Sequence, residues 1–189
     1  MLLVRIPILA LLLSALSLTA IASEKTRTPR IVADPLGAYF HQYYAAEPIN
    51  GSVMVVVADF NCDGLSDFAI SDRAQVGKSG TSWIIYLRRP DGRFNEIGEV
   101  ETKNNRFRII REKKGLARLA VMQRGGPGDL GVIFYRVSQA GLIQLADERV
   151  RIAEAQTGKT RIEEIFGADY SELPATTYSL NELRSKFSK

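Results

Sequence analysis

The chain has 189 residues, 46% of them hydrophobic and 24% charged, which is the composition of a globular domain rather than of a disordered segment. Its formal charge of +4 is only mildly basic and does not indicate nucleic acid as a partner. A single cysteine excludes an intrachain disulfide, and a single histidine restricts histidine-based catalysis to one residue.

The N-terminus, residues 1–22, has the pattern of a secretory signal peptide. Arg5 precedes an apolar run, Ile6–Leu18, and small residues follow up to a cleavage site after Ala22. The run is shorter than the about 20 residues that a membrane helix needs, although an uncleaved anchor is the alternative. We therefore expect a periplasmic or secreted protein that does not span the membrane, with one β-rich domain over 23–189.

An aromatic segment, 35–46, comes next and is expected to form a helix. It contains His41, which no nucleophile signature accompanies. We interpret His41 as a residue of an amphipathic helix rather than as a general base. The neighbouring aromatic side chains are interpreted as core, and a stacking platform for sugar rings is the alternative.

The segment 59–67 reads Asp-Phe-Asn-Cys-Asp-Gly-Leu-Ser-Asp and places oxygen atoms at alternating positions around one glycine. Ca²⁺ binds six to eight oxygens, and a tightly wound loop can supply them. The predicted calcium ligands are the side chains of Asp59, Asn61, Asp63 and Asp67 and the carbonyl of Leu65. Cys62 is expected to point away from the metal as a small filler; an intermolecular disulfide or an oxidisable thiol is the alternative. A polar hairpin that binds nothing is the alternative for the whole loop.

Short apolar segments flank the loop, so it is expected to join two strands. The flanking segments and the strand that follows them are Val53–Val57, Phe68–Ile70 and Trp83–Leu87. An EF-hand is excluded because position 12 is Ile70 instead of a bidentate glutamate. The D-x-N-x-D-G-x-x-D core between strands resembles the FG-GAP/VCBS repeats of integrin-type β-propellers, over residues 53–97. The resemblance implies a blade unit with Ca²⁺ as its cofactor.

A second, degenerate copy of this unit is expected over 105–150. At offsets of 51 and 49 residues, the aligned pairs of segments are Asp63–Ile70 with Lys114–Val121 and Ile84–Tyr86 with Ile133–Tyr135. The glycine, the apolar positions and the tyrosine agree, but Lys114 and Arg118 replace two of the predicted ligands. Because cations repel a metal ion, the second loop, 112–118, is expected to bind no divalent metal.

Two units cannot close a propeller, which uses about four to eight blades. Either the units stack as small antiparallel sheets covered by terminal segments, or copies of the chain associate; stacking is the simpler arrangement. The candidate covers are the segment 35–46, a helix over 159–166 and a last helix that begins with the capping box Ser179–Glu182. We expect an α+β fold with hairpin units at 53–100 and 105–150, a helical C-terminal segment at 151–189, and no closed propeller.

A basic cluster occupies 106–118. Its members are Arg106, Arg108, Arg111, Lys113, Lys114 and Arg118. In a strand, alternation would put Arg106 and Arg108 on one face. The cluster either contacts an anionic polysaccharide or membrane surface, or is a solvated edge whose charges prevent aggregation between strands.

The sequence therefore predicts an exported calcium-binding module with a structural or binding role and no catalysis, whose partner is another protein or an anionic surface. The alternative is a small secreted hydrolase in which calcium is structural. The two interpretations differ at His41. A catalytic cleft would bring acidic residues from distant segments to this side chain, whereas a binding module would leave it against apolar neighbours.

Overall fold

The computed structural model describes residues 29–44, 51–72, 80–103, 105–124, 129–151, 155–167 and 172–187. The expected signal peptide, 1–22, lies outside these residues. In the described part of the chain, no helix is long and apolar enough to cross a membrane.

Within these ranges the chain forms ten strands and three helices. The strands are β1 (Arg30–Val32), β2 (Ser52–Ala58), β3 (Asp67–Asp72), β4 (Thr81–Arg88), β5 (Phe94–Thr102), β6 (Phe107–Lys113), β7 (Leu116–Arg124), β8 (Asp129–Ser138), β9 (Gly141–Arg151) and β10 (Ala175–Ser179). The helices are α1 (Pro35–Tyr43), α2 (Ala155–Phe166) and α3 (Leu180–Phe187).

The strands form two antiparallel sheets. In the first sheet, β2 to β5 pair in sequence as a meander, β1 extends it beside β5, and β10 extends it beside β2. The second sheet is the meander β6 to β9. The expected α+β class with mostly antiparallel strands is confirmed, and the described strands form neither a closed barrel nor a propeller.

The two sheets pack face to face through a shared apolar core. Alternate residues of β4, such as Trp83 and Ile85, meet Leu119 of β7 and Ile133 of β8 in one buried cluster. The Trp83 indole contacts the ring of Phe107 edge-on, with centroids 5.4 Å apart. This layer is the principal contact between the sheets because side chains of both meanders interdigitate there.

Helices cover the outer faces of both sheets. On the first sheet, Tyr39 and Phe40 of α1 and Leu183 of α3 pack against outward residues of β2 to β4. On the second sheet, the buried residues of α2 pack against outward residues of β7 and β8. Those helix residues are Ile162, Ile165 and Phe166. The segments expected to be covers therefore lie where they bury the faces that the shared core leaves open.

The two meanders correspond to each other at the predicted offset of 49 residues. Each contains a β-bulge, one between Ile85 and Tyr86 and the other between Phe134 and Tyr135. Aligned residues nevertheless lie on different sides of the shared core. Ile85 points into that core, whereas Phe134 points towards α2. One face of the first meander contacts α1 and α3. The aligned face of the second meander contacts the shared core instead.

Helix α3 begins with the predicted capping box. The Glu182 N–H donates to Ser179 Oγ at 3.2 Å, and the Ser179 N–H donates to Glu182 Oε2 at 2.8 Å. This second bond holds the pKa of Glu182 below its usual range. The reciprocal bonds satisfy N–H groups that the first turn of a helix leaves without partners.

Replacing the cap should weaken the fold measurably. We expect Ser179→Ala to lower the free energy of unfolding by about 1 kcal/mol, because the first turn of α3 loses its side-chain acceptor. Urea denaturation followed by circular dichroism measures the change. Ser179→Asn should retain nearly all of the stability, since asparagine is an equally good cap. Equal losses in both variants would show that the cap does not act as described.

Candidate functional site

The predicted calcium loop joins β2 to β3 and is wound tightly. Cys62 adopts a positive φ of 58° and Gly64 one of 94°. Positive φ is unfavourable for a residue with a side chain, so the glycine suits this position. Cys62 is buried, and its carbonyl accepts a long hydrogen bond of 3.4 Å from the Gly115 N–H. The loop thereby touches the turn between β6 and β7.

Side-chain oxygens of the predicted ligands accept hydrogen bonds from the loop's own backbone. The two carboxylate oxygens of Asp59 accept from the N–H groups of Asp63 and Gly64, each at 2.9 Å. Asp63 Oδ1 accepts from the Leu65 N–H at 2.8 Å. Asn61 Oδ1 accepts from the Asp63 N–H at 3.1 Å, and its amide Nδ2 donates to Asp63 Oδ2 at 2.9 Å. The bonds that Asn61 and Asp63 accept from the N–H two residues further on are Asx turns, and together with the Asp59 bonds they wind the loop around its carboxylates.

Asp67 and Phe60 anchor the loop to the rest of the fold. Asp67 is fully buried, and its carboxylate accepts from the backbone N–H groups of Phe60 and of Arg88 at the end of β4, both at 2.8 Å. The Phe60 side chain enters the shared core and meets the ring of Phe107 edge-on at 5.6 Å. The loop is therefore fixed to both sheets.

The pKa of the buried Asp67 carboxylate is raised. Burial raises its pKa to about 7, although the N–H groups of Arg88 and Phe60 act in the opposite direction. The negative charges of Asp63 and Asp59 raise the pKa further. The charges of Asp59 and Asp63 thus oppose ionisation of Asp67, and a bound cation would relieve this repulsion.

The donor set fits calcium in its chemistry. It offers three carboxylates and one amide oxygen, which are hard ligands, and each oxygen retains a lone pair beyond the hydrogen bond it accepts. In the described part of the chain, however, no three His, Cys, Asp or Glu side chains are grouped closely enough to hold a metal ion. In this structure the loop is closed by its own hydrogen bonds.

The second loop is shorter than the sequence predicts. Glu112 and Lys113 belong to β6 and Leu116 begins β7, so a tight turn at Lys114 and Gly115 replaces the expected loop over 112–118. Gly115 takes a positive φ of 73°, which lets two strands pair directly up to the turn.

The basic cluster divides into paired and exposed members. Arg106 forms an ion pair with Glu172 at 3.4 Å, and Arg118 forms one with Glu112 at 3.1 Å. Arg106 precedes β6 by one residue, but its guanidinium contacts Met122 Sδ at 3.8 Å, on the same side of the second sheet as Ala120, the residue with which Arg108 pairs. The two arginines therefore lie on one face, as expected. Arg108, Arg111, Lys113 and Lys114 are exposed, as is the paired Arg118. Arg108, Arg111 and Lys113 lie in β6, which is an edge strand of the second sheet, and Lys114 lies in the turn that follows it.

His41 lies on the exposed side of α1. Its imidazole is 5.7 Å from the ring of Phe40 and 6.4 Å from the ring of Phe187 in α3, measured between centroids. The helical position agrees with the sequence interpretation. The two ring neighbours of the only histidine in the chain, the residue that a secreted hydrolase would need as its base, are therefore both aromatic.

The structure also brings together side chains that no sequence pattern connects. Arg161 of α2 lines a cleft with Arg108 and Arg118, although it is separated from them by more than 40 residues. Periodicity within α2 identifies its buried face, but it carries no information about which sheet residues that face meets.

No family model, no curated protein and no solved structure matches this chain.

Proposed function

We propose that this protein is an exported module that binds one Ca²⁺ in the loop 59–67 and has a structural or partner-binding role without catalysis. The observation that carries the proposal is the loop itself. It combines three carboxylates and an amide at alternating positions with an anchor, Asp67, that reaches β4. A cation held there would bind the loop between β2 and β3 to the Asp67 carboxylate, which is hydrogen-bonded to the end of β4.

The electrostatics of the loop support a calcium requirement. The charges of Asp59 and Asp63 already disfavour ionisation of the buried Asp67. A dication would neutralise this repulsion and allow all three groups to remain charged. The described carboxylates are not grouped closely enough to hold a metal ion. Binding therefore requires the Asp63 carboxylate to break its hydrogen bond with the Asn61 amide and turn towards the other ligands.

The resemblance to FG-GAP/VCBS repeats and the signal-peptide pattern of residues 1–22 support the same proposal. Extracellular calcium modules bind with dissociation constants of about 10⁻⁴ to 10⁻³ M, which suits a compartment in which calcium is abundant. The partner-binding role draws on the exposed basic side chains along β6, which suit an acidic protein or anionic surface.

The environment of His41 favours this proposal over the hydrolase alternative. Its ring contacts are Phe40 and Phe187, both apolar. A general base requires a proton donor or an orienting acid within hydrogen-bonding distance. The contacts of His41 are instead those of a side chain that helps α1 and α3 pack together.

Isothermal titration calorimetry with CaCl₂ tests the proposal directly. We expect one calcium per chain, because Lys114 at the second turn repels a dication and the turn supplies no loop of ligands. Asp63→Ala should abolish binding by removing a central carboxylate. The matched control is Asp91→Ala, which changes an aspartate in the turn between β4 and β5 and should bind normally.

Two results would contradict the proposal or a part of it. The absence of calcium binding to the unmodified protein at millimolar concentration would overturn the calcium site. A stoichiometry of two would show that the interpretation of the second turn is wrong.

A further inference from the structure

A cleft of about 420 Å³ opens on the outer face of the second sheet beside α2. Small-molecule sites typically have volumes of about 300–1,000 Å³, so the cleft can hold an organic ligand. Its lining includes cationic and apolar side chains from β6, β7, β8, β9 and α2, among them Arg108, Arg118, Arg161, Ile110, Phe134 and Leu145.

The cleft has a net positive charge. Three arginines line it together with one carboxylate, Glu164, and Arg118 also pairs with Glu112, which leaves a formal excess of one positive charge. Glu164 pairs with Arg161 at 3.1 Å, and both side chains are about half exposed. Such exposed pairs contribute little to stability, so an incoming anion can displace Glu164. Among the described residues, Arg108 has no ion-pair partner.

The two meanders differ in charge at the position of Arg108. Arg108 pairs with Ala120 in the second meander, as Val56 pairs with the aligned Ala69 in the first. Val56 is fully buried in the shared core. The second meander therefore carries an arginine where the equivalent face of the first is apolar. Helix α2 covers only part of this face, and the cleft occupies another part.

Apolar side chains also line the cleft. Phe134 and Ile110 belong to the cluster under α2, while Leu145 is 39% exposed beside the bulge of β9. An inorganic anion would satisfy the guanidinium groups but leave these apolar surfaces in water. A neutral apolar molecule would cover the surfaces but leave the guanidinium groups without an anion.

We propose that this cleft binds a small amphipathic anion, with its acidic head on Arg108 and Arg161 and its apolar body against Phe134 and Leu145. Guanidinium groups form bidentate hydrogen bonds with carboxylate or phosphate heads, which accounts for arginine rather than lysine here. The site goes beyond the proposed calcium-dependent role and does not require the loop 59–67. A free fatty acid and the anionic lipid of a bilayer share this chemistry.

Calorimetry in EGTA with three small probes tests the combination of charge and apolar surface. We expect sodium octanoate to bind at one site per chain and more tightly than either inorganic phosphate or octanol. Phosphate supplies only the charge, and octanol supplies only the chain. Because calcium is absent, failure of this experiment is separate from failure of the calcium site.

Variants locate the site. Arg108→Gln and Arg161→Gln should each weaken octanoate binding by about tenfold, the effect of losing one hydrogen bond to a charged group. Glu164→Gln should strengthen binding about twofold to fivefold by removing the competing carboxylate. The control is Arg93→Gln, an exposed arginine beside the turn between β4 and β5, outside both the cleft and the basic cluster, which should leave binding unchanged.

Vesicles of phosphatidylcholine and phosphatidylglycerol in equal parts distinguish the two ligand sources. Vesicle binding that is lost in Arg108→Gln and retained in Arg93→Gln would identify a bilayer lipid as a source, and octanoate binding without vesicle binding would identify a free acid. The proposal is overturned if octanoate does not bind, if phosphate binds equally well, or if Arg108→Gln and Arg93→Gln weaken binding equally.

Discussion

We expect saturating calcium to raise the melting temperature of this protein by about 5–10 °C over its value in EGTA. A ligand present at a hundredfold excess over its dissociation constant stabilises the native state by about 2.7 kcal/mol, and each 1 kcal/mol shifts the melting temperature of a domain of this size by about 2–4 °C. The gain arises because calcium binds only the folded loop and relieves repulsion among Asp59, Asp63 and Asp67. Scanning calorimetry of the full chain in each buffer measures it.

Variants in the loop separate calcium binding from the loop's own hydrogen bonds. Asp63→Asn keeps an oxygen that can accept the Leu65 N–H but loses the charge and the acceptor of the Asn61 amide bond. It should therefore lose at most about 1 kcal/mol of stability in EGTA, and most of the calcium-dependent shift. Asp91→Ala should show the same shift as the unmodified protein. Identical melting curves of the unmodified protein with calcium and with EGTA would contradict the prediction.

Removing the Phe107 ring should produce the largest loss of stability. Phe107 is 3% exposed and contacts Trp83 of the first sheet and Phe60 of the loop edge-on. We expect Phe107→Ala to lower the free energy of unfolding by about 3–5 kcal/mol, because it removes buried apolar surface and leaves a cavity between the sheets. Since domains are stable by about 5–15 kcal/mol, this loss is a large fraction of the total.

Urea denaturation of two further variants shows whether the loss comes from this contact. Phe107→Leu should be considerably less destabilising than Phe107→Ala, because leucine refills part of the cavity. Val57→Ala changes a side chain that is 52% exposed on β2, and it should alter stability by less than about 0.5 kcal/mol. A loss below about 1 kcal/mol in Phe107→Ala would mean that the ring does not join the sheets.

The central strands could be predicted from the sequence because a strand that is buried on both faces is a continuous apolar run. Trp83–Leu87 is a continuous apolar run, and the structure buries both faces of β4, one against the second sheet and one against α1 and α3. The edge strands β1 and β10 carry no such signal. Residues 175–177 of β10 are exposed, and the pairing of Tyr178 with Val53 joins positions that no local pattern relates.

The same distinction applies to the candidate sites. The spacing of Asp59, Asn61 and Asp63 is local, so the sequence predicts the loop and its glycine. The bond from the Arg88 N–H to Asp67 and the presence of Arg108 and Arg161 in one cleft depend on how distant segments pack. The predicted length of the second loop fails for a different reason, because an alignment of sequence cannot show where strand pairing stops.

The orientation of the two meanders has a consequence for assembly. Because each meander shows one face to its predecessor and a different face to its successor, the stack is head-to-tail and has no intrinsic end. Head-to-tail contacts that do not close into a ring propagate into fibres. Helices α1 and α3 terminate the stack at one end and α2 terminates it at the other. The helices thus close both ends, and a chain without α2 would expose apolar surface of the second sheet, although α1 and α3 would still cover the complementary face of the next copy.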